Sequence, residues 1–126
     1  LGSGTVIETD APKDNNGKGE KFSPTDLVAT ALGTCMMTVM GIAARDRGLS
    51  LEGTKISIEK IMGAGPRRIV EVNVHIDFPP GHGIDEENRA YLERVAINCP
   101  VAKSLHPDIR QTVTFNWRVS APATAN

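Results

Sequence analysis

The feature that most constrains this chain is a long, almost uncharged stretch at residues 23–49, SPTDLVATALGTCMMTVMGIAARDRGL. Its beginning is typical of a helix N-terminus, because Ser23 is a favoured N-cap, Pro24 fits the first helical position and Asp26 stands three residues after the cap. Its end is basic and is followed by Gly48, which is typical of a helix C-terminus. The stretch therefore predicts one long helix that begins after Ser23 and ends near Gly48.

The predicted helix is apolar on nearly every side. Its apolar residues form a seam at intervals of four and three positions: Val28, Leu32, Cys35, Val39 and Ile42. A helix that is apolar nearly all round must be buried nearly all round, and a chain of 126 residues has few other elements to cover it. We therefore expect a second copy of the chain to cover one side of the helix.

Composition excludes several classes of protein. The chain is 40% hydrophobic and 23% charged, as expected for one globular domain rather than a disordered or fibrous chain. With a net charge of −1 and only 4% aromatic residues, it has neither a basic face nor a base-stacking platform, so we expect no nucleic acid partner. Charged residues near both ends of the long helix and threonines within it argue against a membrane span. Two cysteines and no visible signal peptide favour a cytoplasmic protein.

The rest of the chain alternates between short strands and short helices. Alternating apolar residues predict the strands, and stretches rich in Pro, Gly and Asn predict the loops. In chain order we expect a strand at 5–10, the long helix, a hairpin of strands at 54–62 and 68–78, a helix at 85–98, a short helix from 100 and a last strand at 111–119. This order predicts an α+β fold in which helices cover one face of a mostly antiparallel sheet. It also predicts one domain at residues 1–120 and a flexible tail at 121–126.

The three histidines do not stand at the spacing of metal ligands. His75 lies on the polar side of a predicted strand, while His82 and His106 lie in predicted loops, so we interpret all three as surface residues. We expect neither a metal nor another cofactor.

The two cysteines are the candidate reactive groups. Cys99 directly precedes a helix that starts at Pro100, where unpaired N–H groups and the helix dipole would lower the pKa of a thiol; alternatively, Cys99 is only a small capping residue. Cys35 lies in the apolar seam, where it is either an inert core residue or, beside a cation and a path for substrate, a reactive one. The pair could form a disulfide only if the fold brings the two Cα atoms within about 7 Å.

Two segments, taken together, resemble a known family. SPTDLVATALGTCMMT has a proline at the start of a helix, an alanine-rich turn and then a cysteine, and CPVAKSL has Cys-Pro-Val opening a helix before the last strand. In this order they resemble the OsmC/Ohr family of osmotically induced and organic hydroperoxide resistance proteins. The order of the predicted elements agrees as well, so the resemblance covers nearly the whole chain.

The resemblance implies an assembly and a reaction. The chain would form an intertwined homodimer, with long central helices buried between two sheets and the sites at the subunit interface. Cys35 would attack a small apolar organic hydroperoxide and become a sulfenic acid, Cys99 would resolve it as a disulfide, and an external dithiol would reduce that disulfide. Three apolar neighbours of Cys35 would line the substrate pocket or would be plain core residues: Leu32, Met36 and Val39.

The chain departs from the family pattern at the residues that activate the cysteine. The best-studied members have a Glu directly after the helix-starting proline and an Arg in the preceding loop, whereas this chain has Thr25 after the proline and no Arg in residues 1–44. Asp26, one position later, is either a shifted activating carboxylate or only a capping residue. The loop offers three lysines as the activating cation in place of the arginine: Lys13, Lys18 and Lys21.

Three functions therefore stay open on the sequence. The first is a thiol-dependent peroxidase that reduces organic hydroperoxides in oxidative-stress defence. The second is a non-enzymatic module that binds an apolar or electrophilic ligand or acts as a redox sensor. The third is a structural dimer in which both cysteines are packing residues.

Overall fold

The fold combines one three-stranded sheet with three helices, which confirms the α+β prediction. The computed structural model describes residues 2–119. Its elements, in chain order, are a short 3-10 turn at Lys13–Asn15, α1 at Pro24–Asp46, β1 at Lys55–Gly63, β2 at Arg68–Asp77, α2 at Glu86–Ile97, α3 at Pro100–Ser104 and β3 at Arg110–Asn116. The predicted limits of the domain and the predicted tail at 121–126 lie outside the described residues.

Helix α1 begins and ends where its sequence predicts. The Oγ of Ser23 accepts a hydrogen bond from the N–H of Asp26 at 3.0 Å, and the N–H of Ser23 donates to the Asp26 carboxylate at 3.0 Å, so the two residues form a complete capping box. After the C-cap, Gly48 adopts a φ of +70°, the left-handed conformation that glycine adopts without strain.

The buried face of α1 is displaced from the predicted seam. Leu32, Met36 and Met40 are fully buried in the core, whereas Val28 is 37% exposed and Ile42 is 48% exposed. Within the chain the sheet and α2 cover one side of α1, so the residues on that side become inaccessible. Of the predicted seam, Leu32 belongs to the packed face, Cys35 and Val39 lie at its border, and Val28 and Ile42 lie on an apolar stripe that faces outward.

A glycine brings α1 close to the first strand. A Cβ atom built on Gly33 would lie 2.3 Å from Cδ1 of Ile58 and 3.3 Å from Cδ1 of Ile56. Ordinary carbon contacts need about 3.5–4.0 Å, so any side chain at position 33 would push the helix away from β1. Gly33 lies two positions before Cys35 and so helps to set the distance between that part of α1 and the sheet.

The sheet has one antiparallel and one parallel pairing. β1 and β2 form the predicted hairpin, with Lys55 opposite Asp77 and an irregularity between Ile61 and Met62. β2 and β3 run parallel. The expectation of a mostly antiparallel sheet holds for the first pair alone, because α2 and α3 form a crossover that is long enough to return β3 in the same direction as β2.

The predicted strand at residues 5–10 is not formed in the single chain. Val6 is 85% exposed and Ile7 is 63% exposed, and the segment is tied down near its end, where the N–H of Asp10 donates to the carbonyl of Phe22 at 3.0 Å. A strand needs a neighbouring edge with which to exchange hydrogen bonds, and residues 5–9 have no such neighbour among the described residues.

Helix α1 is long and apolar enough to cross a membrane by length and composition. It has 23 residues and a mean hydropathy of 1.8 over its most apolar part. Core helices of water-soluble proteins meet the same criterion, and α1 packs one face against the sheet as such helices do.

Helices α1 and α2 contact each other at the C-terminal end of α1, through the side chain of Arg47. The guanidinium of Arg47 lies 3.6 Å from the centroid of the Tyr91 ring, and its Nη1 donates to the Asn88 side chain at 2.8 Å. Leu92 is fully buried between the layers, as the predicted apolar face of α2 requires.

Candidate functional site

The fold brings the two cysteine thiols together. Both cysteines are free; Cys35 is half-buried on α1, and Cys99 is 1% exposed at the N-cap of α3. Cys35 lies about as far back from Arg47 along α1 as Cys99 lies forward from Asn88 along α2. The contact of Arg47 with Asn88 and Tyr91 brings the two cysteines into the same region of the fold, close enough for the Cys35 thiol to raise the pKa of the Cys99 thiol.

Burial determines the state of Cys99. Loss of solvent raises the pKa of the Cys99 thiol, and the neighbouring Cys35 thiol raises it further. The N–H of Ala102 donates to the Cys99 sulfur at 3.4 Å and lowers the pKa, but this effect is smaller than that of burial. Of the two alternatives for Cys99, the capping role is present, and burial outweighs the helix start in its effect on the pKa, so that Cys99 rests as a neutral thiol.

Cys35 is the more accessible sulfur of the pair. It lies on the outward border of α1. On the same side of the helix, Val28 lies about two turns before it, and Val39 and Ile42 lie about one and two turns after it. Part of Cys35 remains accessible to a reagent in the single chain, whereas Cys99 is 1% exposed. This arrangement suits a two-step reaction in which the accessible sulfur reacts before the buried one.

The structure separates the three predicted pocket residues. Leu32 and Met36 are fully buried in the hydrophobic core, where they contact other core side chains rather than solvent. Of the two roles that the sequence left open for Leu32 and Met36, the single chain shows the core role. Val39 is half-buried one turn after Cys35 and remains a candidate contact for a substrate.

Asp26 caps α1 and also forms an ion pair. In addition to the capping box, its Oδ1 accepts from the Lys60 ammonium at 2.7 Å. The bond from Lys60 and the bond from the N–H of Ser23 lower the pKa of Asp26, so that its carboxylate stays ionised. The capping role that the sequence left open is present, together with a cation that the sequence did not identify.

Lys60 is the residue that sequence reasoning missed. Its ammonium also donates to Thr25 Oγ1 at 2.9 Å and to Ser23 Oγ at 3.1 Å, and its side chain is 16% exposed. The signal was present, because Lys60 follows Ile56 and Ile58 in the inward row of an alternating strand. A lysine in that row must find oxygen partners inside the fold.

The three predicted loop cations do not take this place. Lys21 forms an ion pair with Glu8 at 3.0 Å, and Lys13 and Lys18 lie exposed on the loop. The Lys60–Asp26 pair itself lies at the start of α1, and nine helical positions separate Asp26 from Cys35, which is about 13 Å along the axis. Within one chain, the pair and the Cys35 thiol therefore lie at different positions along α1.

One histidine has a structural role rather than a surface role. His82 is half-buried; its Nδ1 accepts from the N–H of Ile84 at 2.8 Å, and its Nε2 donates to the carbonyl of Trp117 at 2.6 Å. We assign the tautomer from these two bonds. Across residues 2–119, no group of three or more His, Cys, Asp and Glu side chains is arranged to hold a metal ion.

Comparison with known families decides the relationship. A family model described as OsmC-like protein matches residues 17–114 of this chain. The chain belongs to the OsmC-like protein family. No curated protein sequence matches it.

Solved structures agree with this family assignment. A Psychrobacter arcticus 273-4 protein, assigned to the osmotic stress and detoxification response, is 48% identical, with a TM-score of 0.86 over 92% of this chain and 83% of that one. An organic hydroperoxide resistance protein OsmC from Legionella pneumophila is 18% identical, with a TM-score of 0.73 over 90% of this chain and 84% of that one. An organic hydroperoxide resistance protein from Elizabethkingia anophelis, with thiocyanate bound, is 20% identical, with a TM-score of 0.72 over 90% of this chain and 83% of that one. The last two likenesses show the shared fold.

Proposed function

We propose that this OsmC-like protein is a thiol-dependent peroxidase that reduces small apolar organic hydroperoxides in a peroxide stress response. The observation that carries the proposal is the proximity of a half-buried thiol, Cys35, to a buried thiol, Cys99, whose pKa it raises. Family membership supports it, and so do the names of the Legionella and Elizabethkingia proteins.

The first step is an attack by the Cys35 thiolate on the outer oxygen of the hydroperoxide. The S–O bond forms as the O–O bond breaks, and the alkoxide leaves as an alcohol after it takes a proton. Cys35 becomes a sulfenic acid, and the hydroperoxide is reduced by two electrons. The apolar stripe around Cys35, including Val39, favours an organic peroxide over hydrogen peroxide.

The second step uses the buried thiol. Cys99 attacks the sulfur of the Cys35 sulfenic acid, an S–S bond forms, and hydroxide leaves with the Cys99 proton as water. Because Cys99 rests as a neutral thiol, it gives up its proton only during this step. An external dithiol then reduces the disulfide by two exchange reactions, which return both thiols. A compartment that keeps thiols reduced, such as the cytoplasm, suits this cycle.

The proposal includes a homodimer. The outward stripe of α1 leaves Val28 and Ile42 exposed in the single chain, and Cys35 lies between them on the helix. A second copy that covers this stripe would remove the apolar surface from water and would form a wall of the substrate pocket beside Cys35.

Turnover with cysteine variants tests the proposal. Purified protein is mixed with cumene hydroperoxide and dithiothreitol, and the loss of peroxide is followed for the unchanged protein, Cys35→Ser and Cys99→Ser. We expect many turnovers for the unchanged protein, none for Cys35→Ser, and a slower, self-inactivating reaction for Cys99→Ser. Equal turnover in the unchanged protein and Cys35→Ser would exclude the proposal.

A redox sensor is the second candidate function. It is favoured by the separation of the Lys60–Asp26 pair from Cys35 within the chain, because an ammonium so far along α1 does little to stabilise a thiolate at Cys35. A sensor would form one Cys35–Cys99 disulfide per chain with peroxide but would not consume peroxide repeatedly in the presence of dithiothreitol. The same assay therefore separates the two functions.

A further inference from the structure

A polar residue interrupts the inward row of β3. The inward residues of β3 are Gln111, Val113 and Phe115, and Trp117 continues the row just after the strand. Three of these four residues are apolar. A half-buried amide needs a hydrogen-bond partner, or it loses the free energy of its bonds to water. The Nε2 of Gln111 has one: it donates to the carbonyl oxygen of Ala102 in α3 at 3.0 Å.

Helix α3 depends on such external contacts. It has five residues, and a helix of that length is not stable alone, because the cost of the first turn exceeds the gain from the few bonds that follow. Its position is therefore set by what holds it from outside. Gln111 is a side chain of the sheet that binds α3 directly.

The residue that Gln111 holds is also the residue that contacts the Cys99 sulfur. The carbonyl of Ala102 accepts from Gln111, and the N–H of Ala102 donates to Cys99 Sγ at 3.4 Å. A shift of Ala102 by a few tenths of an ångström would change the second bond, which is already long. The sheet, Ala102 and the buried thiol thus form one continuous chain of contacts.

We propose that Gln111 is a positioning residue for Cys99, which fixes α3 so that the Ala102 N–H stays directed at the sulfur that closes the disulfide. The role of Gln111 in a catalytic cycle rests on the proposed function. The hydrogen bond to the Cys99 sulfur does not depend on that function, because it is present in the resting protein. Without Gln111, the hydrogen bond from the Ala102 N–H, which favours the Cys99 thiolate, becomes weaker, and Cys99 attacks Cys35 more slowly.

The test follows the closing step without any peroxide. The Cys35 thiolate attacks the disulfide of Ellman's reagent, forms a mixed disulfide and releases one nitrothiobenzoate. Cys99 then attacks the Cys35 sulfur, loses its proton to solvent and releases the second nitrothiobenzoate as the Cys35–Cys99 bond forms. The first phase of colour reports Cys35, and the second phase reports Cys99. Cys99→Ser should lack the second phase.

Two variants remove the hydrogen bond in different ways. Gln111→Met keeps the length of the side chain without a donor, and Gln111→Asn keeps the amide but is one methylene too short. For both we expect an unchanged first phase and a second phase slowed about two- to ten-fold at neutral pH, the range expected for the loss of one hydrogen bond. Thr114→Val, on the exposed face of the same strand, should change neither phase.

The pH dependence separates positioning from a general structural role. In a Cys35→Ser background Cys99 is the one remaining thiol, and NMR of protein labelled at cysteine follows its ionisation. We expect the midpoint to rise in Gln111→Met, because the variant weakens the bond from Ala102. An unchanged midpoint and an unchanged second phase in a folded variant would overturn the inference, and would leave the peroxidase proposal to its own turnover assay.

Discussion

At the scale of single residues, the start of α1 depends on a buried charge. Lys60 lies on the inward face of β1 and donates to three oxygen atoms, of Ser23, Thr25 and Asp26. The ammonium compensates for its own loss of water through these bonds and holds the Asp26 carboxylate in its charged form. The capping box and the ion pair therefore support each other at one end of the helix.

Replacing Lys60 should remove a pH-dependent part of the stability. The pKa of Asp26 is lowered in the folded chain, so its ion pair stabilises the fold above the ordinary pKa of 3.8 and loses that effect as the pH falls below 3.8. Urea unfolding of Lys60→Gln at neutral pH should show a loss of about 1 kcal/mol. The difference from the unchanged protein should shrink in acid below 3.8.

A lysine from the outward face of the same strand provides the control. Lys55 is exposed, so Lys55→Gln should leave the free energy of unfolding within about 0.5 kcal/mol of the original at every pH. A loss for Lys60→Gln that stays constant from neutral to acid pH would contradict the ion-pair account.

At the scale of the elements, local signals and long-range packing differ in how well the sequence predicts them. The ends of α1 and the β1–β2 hairpin follow from neighbouring residues, such as Ser23 with Asp26 and the alternating isoleucines, so the sequence predicts them. The parallel partner of β2 and the face of α1 that is buried depend on how distant elements meet. For this reason the sequence leaves open whether Leu32 and Met36 line a pocket or belong to the core, and the packing of the chain places both in the core.

The candidate site also combines features that the sequence predicts with features that depend on how distant elements pack. The sequence identifies Cys35 and Cys99 through a resemblance that spans two separate motifs, but it does not reveal that burial keeps Cys99 neutral. Nor does it reveal the partner of Asp26, since Lys60 is distant in sequence and meets the helix only after the sheet packs against α1. Both facts depend on solvent exclusion, which a linear pattern does not record.

The contact between α1 and β1 provides a test with an internal control. Gly33→Ala would place a Cβ 2.3 Å from Ile58, whereas Gly41→Ala, on the same helix, meets nothing within 4 Å. In thermal and urea unfolding we expect Gly41→Ala to stabilise the protein by about 0.5–1 kcal/mol through helix propensity. We expect Gly33→Ala to destabilise it by about 1–3 kcal/mol through overpacking. Equal stabilisation by both changes would contradict the close approach.

At the scale of the whole molecule, the outward stripe of α1 predicts self-association. Val28 and Ile42 are large apolar side chains exposed on the same helix as the reactive thiol. We expect the protein to sediment as a dimer, and Ile42→Glu to sediment as a monomer with a lower rate of peroxide turnover, because a buried carboxylate without a partner opposes association. Ile97→Glu, which is equally exposed but on α2, is the control and should leave the dimer intact. A monomeric unchanged protein would contradict the dimer.

The central claim is that Cys35 and Cys99 act as one redox pair, and the most direct measurement is the mass of the protein after one equivalent of cumene hydroperoxide. The account predicts the loss of two hydrogen atoms, with peptide mapping that joins Cys35 to Cys99 and a return to the original mass after dithiothreitol. Two thiols that both remain free, or Cys35 oxidised to a sulfinic acid while Cys99 stays a thiol, would contradict it.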